Sequence, residues 1–103
     1  MGSRNQEMEQ ALSYLLQLLR DSEPSAYASR LPADLIQVVS ANLRSVKSAG
    51  YLVNPAAITE MFLPTASLQD IAMDNGWGSQ YLELSSYFDR EILNARWLRQ
   101  AVV

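Results

Sequence analysis

The sequence predicts an all-α protein, a small bundle of four to five helices with long first and last helices and short helices between them. Three observations carry that expectation. Apolar residues recur at helical spacing in each periodic segment, the four prolines and four glycines stand where helix boundaries want them, and no segment sustains strand alternation. Tyr51-Leu52-Val53 is the one short β-prone run, and three residues between helix signals read as a connector. The 103 residues suit a single helical domain spanning 1–103, with residues 1–4 expected to be disordered or left over from cloning.

The first helix is expected from Asn5 to Asp21, because Met8, Leu12, Leu15 and Leu19 repeat at 4, 3, 4 along one face. Glu7 and Glu9 suit its positive end and Arg20 its negative end. Pro24 follows the exit, and residues 24–30 are expected to form a short helical turn. Pro32 fits the first position of a second helix, with Asp34 in its first turn and Ile36, Val39, Leu43 and Val46 on the buried side. Gly50 closes it in the left-handed conformation, and Tyr51 or Leu52 folds back over the last turn.

Asn54-Pro55 repeats the start signal for a short third helix ending near Leu63, with Ile58, Met61 and Phe62 inward. Ser67 to Asp70 approximates a capping box, Asp replacing the usual Glu or Gln, and opens a two-turn helix carrying Leu68, Ile71 and Ala72. Gly76 ends that helix, and Trp77 is expected to anchor the bundle end. Ser79 then caps a last helix reaching about Gln100, with Tyr81, Leu84, Phe88, Ile92 and Ala95 along one stripe.

The chain contains neither cysteine nor histidine, which removes disulfides, thiolate chemistry and the common neutral-pH base. Asp70 and Asp74 share a helix face, yet two carboxylates are a thin ligand set for a cation. No Gly-x-Ser-x-Gly elbow, Ser-x-x-Lys motif or phosphate-binding glycine loop occurs. Neither enzymatic activity, a cofactor nor a metal is therefore expected. The formal charge is −3, and the eight basic residues are scattered, so nothing recommends an anionic partner. No apolar run approaches the roughly 20 residues that cross a bilayer, and the N-terminus lacks the plan of a signal peptide. A cytoplasmic location and no membrane partner are the expectation.

Leu68, Ile71 and Ala72, followed by Gly76 and Trp77, form a Leu-x-x-Ile-Ala pattern before a glycine, an aromatic residue and a second helix. Over residues 67–91 the chain resembles a helix-turn-helix segment, particularly that of the AraC family. The resemblance implies a DNA-binding transcriptional regulator, with Leu82 as the first core residue of the second helix. The family's Tyr-Phe pair falls several residues late, at Tyr87-Phe88. The would-be recognition helix also offers Gln80, Glu83, Ser85, Ser86, Asp89, Arg90 and Glu91, more acidic than basic, where phosphate contacts want Lys and Arg.

In the first helix the polar residues Gln6, Gln10, Ser13, Gln17 and Arg20 leave one narrow wet stripe, and nearly everything else from Ala11 to Leu19 is apolar. The last helix is equally broad near its end, where Leu93, Trp97 and Leu98 spread beyond the core stripe beside Arg96 and Arg99. Such helices are either central in the bundle or shared with a partner. The expected function is a non-enzymatic protein–protein interaction module, a small adaptor, inhibitor, antitoxin-like or immunity-like factor. It would meet another protein, or a second copy of itself, through Leu16, Leu18, Leu93, Arg96, Trp97 and Leu98.

Overall fold

A computed structural model describes residues 3–63 and 66–92. It is all-helical, with five helices in chain order among the described residues: α1 Ser3–Arg20, α2 Pro32–Ala49, α3 Pro55–Met61, α4 Ser67–Asp74 and α5 Gly78–Ile92. α1 begins two residues earlier than its periodicity suggests. Residues 93–100, over which the last helix was expected to continue, lie outside the described residues.

α1 and α2 form the principal helix pair. Gly50, just past the end of α2, lies against Asn5 near the start of α1, so the two run antiparallel. Met8, Leu12, Leu15 and Leu19 are all enclosed, as their spacing requires. On α2 the inward set is Leu35, Val39, Asn42, Leu43 and Val46, while Ile36 is only half-buried. The expected stripe was therefore one residue off at its start, because Leu35 and not Ile36 continues the i, i+4 row through Val39.

The helix ends follow sequence rules closely. Pro32 occupies the first position of α2, and Asp34 reaches back to accept the Leu31 N–H at 3.3 Å. Gly50, at φ 78°, donates its N–H to the Val46 carbonyl at 3.0 Å, the bond that a left-handed residue makes at a helix C-terminus. Asn54 caps α3 by accepting the Ala57 N–H at 3.2 Å.

α4 ends in a full Schellman arrangement: Trp77 N–H donates to the Ala72 carbonyl at 2.9 Å and Gly76 N–H to that of Met73 at 3.3 Å. Gly76 sits at φ 80°, where any side chain would be strained.

Three expectations fail locally. Residues 24–30 form no helical turn, only a reverse turn closed by Ala28 N–H to the Ser25 carbonyl at 3.2 Å. Ser67 does not cap α4. Its buried hydroxyl accepts the Arg30 N–H at 2.9 Å and pairs with Ser29 at 3.2 Å, so Ser67 ties the α1–α2 connection to α4. Ser79 lies inside α5, whose first bond runs from Tyr81 N–H to the Trp77 carbonyl at 2.9 Å. Trp77 thus takes the capping position.

α3 packs on α2 and α5, and α4 on α5. Phe62, Tyr81 and Phe88 bring α3 and α5 together, with ring centres 5.3 Å and 5.5 Å from Phe62. The Tyr81 hydroxyl donates to the Phe62 carbonyl at 3.1 Å. Burial raises the Tyr81 phenol above its ordinary value of 10.0.

Candidate functional site

The connection between α1 and α2 decides where the α4–α5 corner sits. Asn75 uses its side-chain amide as a strand would use its backbone, accepting the Glu23 N–H at 2.8 Å and donating to the Glu23 carbonyl at 2.9 Å. The same amide donates to the Ile71 carbonyl at 2.8 Å, which satisfies a terminal carbonyl of α4. Ser25 donates to Asp74 at 2.5 Å, and the indole N–H of Trp77 donates to Ser22 at 2.9 Å. Trp77 is 5% exposed, so it anchors the corner as the sequence suggests.

Held in this way, α4 and α5 leave an open groove of about 570 Å³ between them. Met73 and Leu82 line it, 64% and 65% exposed, together with Gln69, Gly76, Gly78 and Ser79 and the edge of Tyr81. Gly78 makes this shape possible, because a Cβ there would stand 2.8 Å from the Met73 sulfur.

No charged residue lines the groove itself, and the stretch of sequence that builds it is acidic. From Ser48 to Asp89 the chain has no Lys or Arg, while Glu60, Asp70, Asp74, Glu83 and Asp89 fall in that stretch. α3, α4 and most of α5 therefore carry negative charge only, and Arg90 is the first cation to follow. Two large apolar side chains exposed in one groove can seat an apolar anchor.

The residues singled out in the sequence fare differently. Leu16 is 6% exposed and belongs to the core, so the chain itself encloses it and Leu16 is not available as an open contact. Leu18 is half-buried and packs against the same core. Leu93, Arg96, Trp97 and Leu98 lie outside the described residues, as does Ala95. Asp70 and Asp74 join no cluster of three or more acidic side chains among the described residues, and an Asp74 oxygen is already bonded to Ser25. Among the described residues no helix is long and apolar enough to cross a membrane.

The helix-turn-helix resemblance is met in element order alone. α4, a three-residue turn and α5 follow one another as the pattern asks, but Leu82 points to solvent, and the inward row of α5 is Tyr81, Leu84, Phe88 and Ile92. The expectation that Leu82 is a core residue is corrected on that ground: Tyr81 takes the inward position because its ring stacks on Phe62. No family model matches the chain, and no curated protein or solved structure matches it.

Met73 and Leu82 were missed as surface residues because single-sequence periodicity assigns apolar residues inward. A signal was available. Leu82 falls outside the row of Tyr81, Leu84 and Phe88, and Met73 falls outside that of Leu68, Ile71 and Ala72.

Proposed function

We propose that the protein is a non-enzymatic binding module whose α4–α5 groove receives a basic, amphipathic segment of a protein partner. One observation carries the reading: Met73 and Leu82 stand exposed in a single groove, on a part of the chain with five acidic residues and no basic one. Apolar contact supplies most of the affinity, on the order of 1.5–3 kcal/mol for each large side chain that becomes fully buried. The acidic surroundings select for cations on the partner and speed its approach, an effect that salt screens. The non-enzymatic part of the reading rests on a sequence without histidine, cysteine or a nucleophile motif.

The same electrostatics opposes nucleic acid. A recognition helix needs cations to displace counterions from the phosphates, and α5 carries Glu83, Asp89 and Glu91 against the single cation Arg90. Fluorescence anisotropy with three labelled probes tests the assignment: a 14-residue Lys/Leu peptide amphipathic as a helix, its Glu/Leu counterpart, and a 20-base-pair DNA duplex. The reading expects the Lys/Leu peptide to bind, more weakly as salt rises, and the other two to remain free. Binding of the duplex at low salt, or no binding by any probe, would overturn it.

A further inference from the structure

We infer that Asn75–Gly76 is a deamidation site that the fold keeps latent and that opening of the α4–α5 corner converts irreversibly. Of the chain's asparagines, only Asn75 precedes a glycine. With no Cβ on Gly76, its backbone nitrogen has the least hindered approach to the side-chain carbonyl carbon of Asn75. In the reaction that nitrogen bonds to Asn75 Cγ, the Cγ–Nδ2 bond breaks, and Nδ2 leaves as ammonia with the proton of the Gly76 N–H. Water, the one co-reactant, then opens the five-membered imide. Cleavage of the new N–Cγ bond gives an aspartyl residue, and cleavage between the Gly76 nitrogen and the Asn75 backbone carbonyl carbon gives the isoaspartyl linkage.

The closed corner opposes the first step. Asn75 has ψ 8°, which eclipses the Gly76 nitrogen with the backbone nitrogen of Asn75 and holds it away from the Asn75 side chain. Attack needs a large rotation about the Asn75 Cα–C bond. That rotation breaks the bonds from Gly76 N–H to the Met73 carbonyl and from Trp77 N–H to the Ala72 carbonyl. The leaving nitrogen is held as well, donating to the carbonyls of Ile71 and Glu23 at 2.8 Å and 2.9 Å. A carboxylate in its place has no N–H, so one oxygen would face those two carbonyls with nothing to donate, next in the chain to Asp74. The isoaspartyl form also lengthens the backbone within the bonds that close α4. Conversion in the folded protein therefore follows the fraction of molecules whose corner is open, and a converted chain cannot donate to Glu23 and Ile71 again.

Mass spectrometry that places an added dalton at residue 75 tests this on the full chain, incubated in mildly alkaline buffer with and without guanidinium chloride. The unfolded chain should convert at least about tenfold faster than the folded one. The factor by which folding slows conversion should match the hydrogen-exchange protection of the Gly76 and Trp77 amides within about tenfold, because both processes need the same bonds open. Gly76→Ala should slow conversion several-fold in denaturant, where its folding does not matter, since a Cβ hinders the attack. Asn75→Asp, the product made directly, should melt below the wild type or fail to fold. Equal rates in the folded and unfolded chain overturn the inference, as does a slowing that departs from the amide protection by more than about tenfold in either direction. Conversion that Gly76→Ala leaves unchanged in denaturant, or a wild-type melting point for Asn75→Asp, would overturn it too.

Discussion

Gly78 lies directly against Met73, so close that a methyl group on Gly78 would stand 2.8 Å from the Met73 sulfur. The missing side chain on α5 is what lets the α4 methionine lean over the start of the next helix and wall the groove. In Gly78→Ala the sulfur must move, and it can, being near the end of an unbranched side chain. Alanine's better helix propensity offsets part of the crowding, so the thermal transition should shift by no more than about 1 kcal/mol in either direction. Affinity for the Lys/Leu peptide should still fall several-fold, because the groove wall has moved. Unchanged affinity would show that Met73 does not shape the site.

Asn42 is fully enclosed on α2, where the helical period calls for an apolar side chain. Its Oδ1 accepts the Asn54 N–H at 2.9 Å, and its Nδ2 donates to the carbonyls of Val38 and Asn54 at 3.0 Å and 3.3 Å. These bonds hold the residue that caps α3. Asn42→Ala leaves the Asn54 backbone without those partners and should cost about 2–3 kcal/mol in urea denaturation. A loss below about 0.5 kcal/mol would mean that water replaces the amide freely.

Asn75 pins the α1–α2 connection to the end of α4 through both backbone groups of Glu23. Asn75→Ala should lower stability by about 1–2 kcal/mol and speed hydrogen exchange at the Glu23 amide more than at amides within α1. Equal exchange at both places would show that the connection is held by Ser25 and Trp77 instead.

Burial raises the Tyr81 phenol above its ordinary value of 10.0, so the folded chain holds that proton more tightly than the unfolded chain does. The resulting stability is complete below pH 10.0 and is lost as pH climbs past that value toward the folded-state one. Tyr81→Phe should be less stable by about 1 kcal/mol near neutral pH, from the lost bond to the Phe62 carbonyl. The gap should narrow in alkaline solution, where only the wild type must bury or protonate a phenolate. Denaturation curves of both proteins at pH 8, 10 and 11 would reveal it, and a gap that stays constant would remove Tyr81 from the alkaline transition.

Much of the fold was legible because it follows from local rules. Pro32, Asn54-Pro55, Gly50 and Gly76 each mark a boundary through a single backbone constraint, and all four stand where the structure bends or caps the chain. Ser67 misled for a physical reason: a serine before an apolar run has the same appearance whether its hydroxyl turns to its own helix or to a distant loop, and here Arg30 claims it. The site was less legible. Leu16 and Leu82 are the same residue type on helices of similar pattern, yet one is enclosed in the core and the other lies open on the α4–α5 groove. Which apolar position meets a neighbouring element is a tertiary fact, and no period in the sequence encodes it.

The proposed function places a basic amphipathic segment in the groove between α4 and α5, over Met73 and Leu82. Two-dimensional nuclear magnetic resonance locates the contact, following amide and methyl signals as the unlabelled Lys/Leu peptide is added to the isotope-labelled chain. Shifts should concentrate at Gln69, Met73, Gly76, Ser79 and Leu82 and be absent in Met73→Ser with Leu82→Ser, with little change on the exposed side of α1. Shifts centred on α1 and α2, or a double variant that binds as well as the wild type, would contradict it.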